Sequence, residues 1–164
     1  MASTKKDQHI VVQIANNFAG LDAPSSKIKK LVEAVFNDLS PARSSKTVVS
    51  IAIVDDAEIR KLNSRFLNRK STTDCLSFDL SDSKGPHSPK LFELIVNGEM
   101  ALRQANSRGH SSEAEIALYI THGLLHNLGF DDSTEPKAKK MHDFEDNILQ
   151  QLGYGLVYNK NTKA

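Results

Sequence analysis

Two histidines four residues apart, in a segment that reads THGLLHNLGFDD, constrain this chain more than any other feature of its sequence. They are His122 and His126. Residues at this spacing project from the same face of an α-helix. Their imidazoles can converge on one metal ion while the backbone stays helical, so the segment predicts a helix that carries a metal site near its end.

A third ligand follows the predicted helix. Gly129 comes three residues after His126, where a glycine can adopt the positive φ that ends a helix. The turn would bring the next residues back toward the histidines, so that Asp132 supplies a carboxylate from a loop. Three protein ligands that leave a fourth position for water are typical of a catalytic zinc site. In the alternative interpretation, Asp131 and Asp132 form only a solvated turn or the cap region of the next helix.

The other histidines are given smaller roles. His142 stands beside Lys139 and Lys140, which predicts an exposed side chain. It is a reserve ligand if the last helix folds back on the site. The remaining three lie at a strand start and in two loops, and no function is assigned to them: His9, His87 and His110.

The residue after the first histidine argues against a protease. In zinc proteases of the HExxH type, that residue is a glutamate that acts as a base. Here it is Gly123, which cannot accept a proton from water. Peptide hydrolysis is therefore disfavoured, although the spacing of the histidines and the aspartate superficially matches the extended protease pattern.

Strands and helices are interleaved in the first part of the chain, and helices gather at its end. Short apolar, β-branched runs predict strands at residues 9–15, 47–54, 75–80 and 91–96. Amphipathic spacing and capping residues predict helices at residues 25–39, 55–66, 99–107, 111–128 and 133–152. We expect an α+β fold, a single domain over residues 1–164. A small mixed sheet of about four strands is covered by helices, with the metal site on a C-terminal helix and the loop after it.

Composition narrows the class of protein. Of the 164 residues, 39% are hydrophobic and 25% are charged, which is ordinary for a globular domain. The formal net charge of +1 provides no general basic field, so an RNA partner would need a local patch. The single cysteine, Cys75, fits a reducing compartment. No signal peptide or membrane span is recognisable, so we expect a cytoplasmic protein with no membrane partner.

With these motifs identified, the sequence resembles the YbeY family of bacterial endoribonucleases. HGLLHNLGFDD, at residues 122–132, follows that family's HGxLHxxGYDH signature. LNSRFLNRKSTTDCLSF, at residues 62–78, follows its LNxxYRxKDxPTDVLSF block. Both blocks stand in the family's order, with the segment LFELIVNGEMALRQA between them, so the resemblance spans most of the chain.

The resemblance implies a zinc-dependent, single-strand-specific endoribonuclease with one zinc ion per chain. It implies roles in maturation of the 16S RNA of the small ribosomal subunit and in ribosome quality control, with ribosomal or ribosome-associated proteins as further partners. His122 and His126 match the family's first two zinc ligands and are the candidate catalytic residues. Asp132 occupies the position of a third histidine. A carboxylate is a competent zinc ligand, so metal retention is expected, with altered affinity or preference.

Two departures from the family pattern concern RNA more than metal. Leu67 stands where the family has a functional arginine, and Phe92–Glu93 stands where it has Gly-Asp. RNA cleavage needs cationic groups that hold phosphate and stabilise developing charge. Arg65 and Arg69 flank Leu67 and are the candidate RNA-binding residues. Three other cations are candidates for partial compensation: Lys61, Lys70 and Arg103.

Three hypotheses follow from these residues. The first is a metal-dependent endoribonuclease. Its nucleophile is either a metal-activated water or the RNA's own hydroxyl, and the sequence does not decide between them. The second is a ribosome-associated RNA- or protein-binding factor with reduced or no hydrolytic activity, motivated by Leu67, Phe92 and Asp132. The third is a hydrolase of peptides or another small substrate, against which Gly123 argues.

Overall fold

The computed structural model describes residues 9–39, 46–82, 88–155 and 157. Its strands are β1 (Ile10–Asn16), β2 (Thr47–Val54), β3 (Cys75–Asp79) and β4 (Lys90–Asn97). Its helices are α1 (Ser25–Leu39), α2 (Asp56–Leu67), α3 (Gly98–Arg108), α4 (Ser112–Asn127) and α5 (Glu135–Gln151). Every predicted element is present, and each end lies within two residues of its predicted position.

The strands form one mixed sheet in the order β1-β2-β4-β3. β1 and β4 both pair with β2 in parallel, and β3 pairs with β4 antiparallel at the edge of the sheet. The prediction of an α+β fold with a small mixed sheet is therefore confirmed. Among the helices in the described ranges, none is long and apolar enough to span a bilayer.

The larger core lies between the sheet and helices α1 and α4. Side chains alternate between the two faces of a strand, and every second residue of β2 and β4 is buried on this face. These residues are Val49, Ile51, Ile53, Phe92, Leu94 and Val96. The Phe92 ring stacks on Phe36 of α1 with 6.2 Å between centroids. Position 92, where the family pattern has a glycine, is thus a core position in this chain.

The opposite face of the sheet is covered by α2. Ile59 of this helix is fully buried and packs with Leu76 of β3 and Ile95 of β4. Asp55 caps the helix, because its Oδ1 accepts a hydrogen bond from the Glu58 amide at 2.8 Å. Because α4 packs on one face of the sheet and α2 on the other, the two helices lie on opposite sides of it.

A polar network fixes the segment that leads into β3. Asn97 is fully buried, and its Nδ2 donates to Asp56 Oδ1 at 2.6 Å and to the Thr73 carbonyl oxygen at 3.1 Å. The Arg103 guanidinium also binds Asp56 and lowers the pKa of that carboxyl. Asp74 Oδ1 accepts from the Cys75 amide at 2.7 Å. Arg103, a candidate for compensating the missing arginine, is therefore engaged within the fold.

Helix α4 lies close against the sheet at Gly123. A Cβ atom at this position would lie 2.8 Å from Cys75 Sγ and 2.9 Å from Leu94 Cδ2. Only a residue without a side chain allows the helix to lie this close to β3 and β4. Because Gly123 faces the sheet, the neighbouring His122 is turned away from it, toward the helical side of the molecule.

We expect Gly123→Ala to lower the free energy of unfolding by about 1–3 kcal/mol, the usual cost of overpacking. At an unobstructed position inside a helix, the same change would raise stability by about 0.5–1 kcal/mol, so the sign of the effect tests the contact. Urea denaturation measures it. The same substitution in a Cys75→Ala background is the control and should cost less, because the sulfur is gone. A gain in stability in the wild-type background would contradict the close contact.

Candidate metal centre

The last two turns of α4 bring the two histidines together as their spacing predicts. His122 Nε2 lies 3.1 Å from His126 Nε2, and the ring centroids are 4.6 Å apart. Both rings are partly buried, with 20% and 32% of their side-chain surface exposed. The site is therefore accessible from solvent but shielded on its inner side.

Each imidazole is oriented by an acceptor at its other nitrogen. His122 Nδ1 lies 3.0 Å from Glu145 Oε2, and His126 Nδ1 lies 3.1 Å from the Phe130 carbonyl oxygen. A carboxylate and a carbonyl can only accept, so both Nδ1 atoms carry the proton. When both rings are neutral, each Nε2 presents a lone pair to the other at 3.1 Å, an arrangement that a proton or a metal ion between them would stabilise.

Gly129 turns the chain back toward the histidines. Its φ is +96°, and the Phe130 amide donates to the Leu125 carbonyl oxygen at 2.9 Å, which closes α4 in a Schellman motif. The same turn places the Phe130 carbonyl against His126. Asp132 follows, with its Oδ2 3.9 Å from the Nε2 atoms of both histidines.

These three ligand atoms are close to the spacing of a zinc site. Donors at about 2.0–2.2 Å from a tetrahedral zinc ion lie roughly 3.3–3.6 Å from one another. The observed separations, 3.1 Å between nitrogens and 3.9 Å to the carboxylate oxygen, bracket that range. Asp132 is 46% exposed and sits in a loop, so a small movement of its side chain would complete the set. The donors fit a zinc ion with an open coordination position.

The two neighbouring aspartates have different roles in the turn. Asp131 Oδ1 accepts from the Ser133 amide at 2.9 Å and from its hydroxyl at 2.6 Å, and Oδ2 lies 3.2 Å from Lys137 Nζ. These contacts, with the Ser133 hydroxyl foremost, lower the pKa of Asp131 to about 2. Asp131 thus stabilises the start of α5, and Asp132 is the carboxylate that faces the histidines.

Glu145 is the residue of this centre that the sequence analysis missed. It is fully buried, and its Oε1 accepts from His142 Nδ1 at 2.6 Å while its Oε2 accepts from His122. A signal was present in the sequence: position 145 falls between Met141 and Leu149 on the apolar stripe of α5. A carboxylate on a buried stripe implies a polar partner inside the protein.

The prediction that His142 is exposed is wrong. Only 17% of its side chain is exposed, and its ring lies parallel to that of His122, with 6.2 Å between centroids and 11° between planes. Helix α5 packs against α4 through its apolar stripe, and His142, three residues before Glu145, shares that inward side. The adjacent lysines suggested an exposed face, but the tertiary contact determines the orientation.

A second group of potential ligands consists of His122, His142 and Glu145, whose ligand atoms lie within 4.8 Å of one another. The two oxygens of Glu145 already have hydrogen-bond donors, because they accept from Nδ1 of His122 and Nδ1 of His142. An ion there would have to displace both hydrogen bonds. We therefore regard Glu145 and His142 as support for His122, in the way that carboxylates commonly orient metal-binding histidines.

A cavity of about 270 Å³ adjoins the centre between α3, α4 and α5. His122 and Glu145 form part of its wall, together with Arg108 and the fully buried Glu115. Glu115 is paired with His110 Nε2 at 2.7 Å and with Arg108 at 3.4 Å. The buried carboxylate therefore has cationic or hydrogen-bonding partners, and the cavity presents mixed polar and apolar walls beside the histidines.

The candidate RNA-binding residues lie elsewhere. Arg65 belongs to the last turn of α2 and Arg69 to the segment after it, and both are exposed. Among the described residues, no hydrogen bond or salt bridge joins either arginine to the histidines, since α2 and α4 cover opposite faces of the sheet. Leu67, at the family's arginine position, is 45% exposed and offers no charge.

Comparisons with known proteins bear on the family and the fold of this chain. A family profile described as endoribonuclease YbeY matches residues 13–153. A protein named endoribonuclease YbeY from Aquifex aeolicus is 32% identical over 158 residues, which cover 95% of this chain and 100% of the relative. One of the same name from Caldicellulosiruptor bescii is 32% identical over 155 residues, covering 88% and 97%. The solution structure of TM1509 from Thermotoga maritima shares the fold, with a TM-score of 0.54 at 22% identity over 86% of this chain and 91% of that one.

Glu145 should control the protonation of His122 in metal-free protein. Burial lowers the pKa of His122, but the hydrogen bond and charge of Glu145 outweigh burial, and the net pKa is raised above 6.5. The pair therefore stabilises the metal-free fold below about pH 6.5, and this contribution is lost as pH rises through the raised pKa.

We expect Glu145→Gln to lower the pKa of His122, measured by NMR titration. Asp143→Asn, at an exposed carboxylate of the same helix, is the control and should leave the titration unchanged. An unchanged pKa in Glu145→Gln would contradict the assignment.

Proposed function

The chain belongs to the endoribonuclease YbeY family, and on this premise we propose that it is a zinc-dependent endoribonuclease specific for single-stranded RNA. The observation that carries the proposal is the convergence of two Nε2 lone pairs at 3.1 Å with a carboxylate oxygen 3.9 Å from both. Its proposed roles are maturation of the 16S RNA of the small ribosomal subunit and ribosome quality control. Its partners are then small-subunit RNA and ribosomal or ribosome-associated proteins, in the cytoplasm.

In this proposal His122, His126 and Asp132 hold one zinc ion. The bound ion supplies a Lewis acid, which polarises a phosphoryl oxygen or lowers the pKa of a water molecule. The replacement of the family's third histidine by Asp132 reduces the net positive charge of the site and introduces a harder donor. We therefore expect an affinity or a metal preference that differs from that of a site with three histidines.

The surrounding residues keep the ligands in a reactive form. Glu145 holds the proton of His122 on Nδ1, and the Phe130 carbonyl does the same for His126. Both Nε2 atoms are thereby available without rearrangement. Because Glu145 is fully buried and Phe130 is fixed by the turn at Gly129, the two rings lose little freedom when an ion binds.

Packing at Gly123 argues against peptide hydrolysis of the HExxH type. A side chain at this position would meet Cys75 and Leu94 within 3 Å, so the glutamate base of HExxH proteases has no room and would face the sheet. RNA binding also requires cations that contact phosphate, and Arg65 and Arg69 remain the residues proposed for this role. Their charges would hold the RNA backbone outside the metal centre.

Metal analysis of purified protein tests the ligand set. We expect about one zinc ion per chain in the wild type, its loss in His122→Ala and weakened retention in Asp132→Ala. The neighbouring Asp131→Asn is the matched control and should retain zinc, because its carboxylate serves the turn. Retention in Asp132→Ala together with loss in His142→Ala would instead assign the ion to His122, His142 and Glu145.

RNA cleavage tests the activity. We expect purified protein to cut an unstructured RNA internally, and His122→Ala to lower the rate by at least about two orders of magnitude, because the loss of a ligand removes the Lewis acid. That variant also controls for contaminating nucleases. Product ends identify the nucleophile: a 2′,3′-cyclic phosphate indicates the RNA's own hydroxyl, and a 5′-phosphate indicates water. Binding of RNA without cleavage would favour the alternative of a ribosome-associated binding factor, to which the uncharged Leu67 also points.

A further inference from the structure

The second half of α2 and the turn after it form a basic surface in a chain whose formal net charge is only +1. Residues 60–70 read RKLNSRFLNRK, with no acidic residue. The five cations are exposed: Arg60, Lys61, Arg65, Arg69 and Lys70. None of them forms a salt bridge with another described residue, whereas Lys27, Arg103, Arg108, Lys137 and Lys139 do. We call residues 60–70 the basic segment. Its charge is available to an outside anion.

Two large apolar side chains are exposed within this basic segment. Phe66 is 56% exposed and Leu67 is 45% exposed. The Phe66 ring packs edge-to-face on Phe78 of β3, with 5.9 Å between centroids and 66° between planes. The Arg65 guanidinium lies 5.5 Å from the Phe66 centroid. Phe66 is thus held in place by one aromatic neighbour while more than half of its surface faces water.

An exposed aromatic ring among unpaired cations matches the chemistry of single-stranded nucleic acid. The π-face of a base stacks on an aromatic side chain, and phosphates on either side are neutralised by lysine and arginine. A duplex conceals its base faces, so the aromatic contact is specific for an unpaired strand. A protein partner would satisfy the apolar surface of Phe66 but would have to supply several carboxylates for the cations. The five positive charges favour a polyanion.

We propose that Phe66 is a stacking platform for an unpaired base of RNA, with the cations of the basic segment holding the backbone around it. The identity of the polyanion rests on the proposed function. Stacking tolerates every base, so the contact selects single-stranded RNA and leaves the sequence open. It also places an RNA contact next to Leu67, where the family pattern has an arginine.

The chain path connects this platform to the metal centre. Asp74 is the eighth residue after Phe66, so an extended chain would place the two at most about 29 Å apart. Asp74 lines the same cavity as His122, and β3, the edge strand of the sheet, begins directly after it. A strand of RNA held at Phe66 can therefore pass around the edge of β3 toward the histidines.

Binding measurements separate this role from packing. All variants are made in a His122→Ala background, so that a labelled, unstructured RNA of about a dozen nucleotides stays intact. We expect Phe66→Leu, which keeps the apolar cover over Phe78 but removes the π-face, to weaken binding from about five-fold to about a hundred-fold. Phe66→Trp should bind equally or more tightly. Val11→Ala, at an exposed apolar residue on the opposite edge strand, should bind like the parent.

Salt dependence and a duplex probe complete the test. Arg65→Gln or Arg69→Gln should reduce the slope of log K against log salt by about 0.7 for a single strand, while Phe66→Leu leaves the slope unchanged. Duplex RNA of the same sequence should not distinguish Phe66→Leu from the parent.

Unchanged single-strand affinity in Phe66→Leu would overturn the inference, as would an equal loss with duplex. If the wild-type protein cleaves RNA but binding does not depend on Phe66, the inference about Phe66 fails and the proposed nuclease function stands. If binding depends on Phe66 but the wild-type protein does not cleave RNA, the inference stands and the proposed nuclease function fails.

Discussion

The contact of Gly123 with Cys75 and Leu94 sets the arrangement on which the metal centre depends. It fixes both the distance of α4 from the sheet and the rotation of the helix about its axis. With Gly123 facing the strands, His122 and His126 face the turn after α4 and the helix α5. A bulkier residue would separate helix and sheet and move both rings. Gly123, which argues against HExxH-type catalysis, therefore also positions the histidines.

Glu145 couples the last helix to this centre. A fully buried carboxylate is costly unless it is paired, and here both of its oxygens accept from histidine. Its hydrogen bond to His122 links α5 to α4 through the same residue that carries a ligand atom. The geometry of the metal centre therefore depends on the packing of α5, because a shift of α5 would leave Glu145 unpaired and His122 free to rotate.

Charge is divided between the two faces of the sheet. Histidines and carboxylates gather beside α4, while the uncompensated cations of the basic segment lie on α2 and the turn after it. A net charge of +1 conceals this separation. The two regions meet at the edge strand β3, which contributes Phe78 to one face and Cys75 to the other. A polyanion attracted by the cations would thus approach the centre from a surface that does not repel it.

The sequence by itself determined the elements, the pairing of His122 with His126 and the turn at Gly129, because helical spacing, strand alternation and a positive φ are local properties of the chain. Tertiary structure brought Glu145 and His142 to His122 from a helix some twenty residues away along the chain. It also engaged Arg103 with Asp56 and left Phe66 exposed. These outcomes depend on how α5 and α2 pack against the rest of the protein, and local periodicity carries no information about the partner that a side chain meets across such a contact.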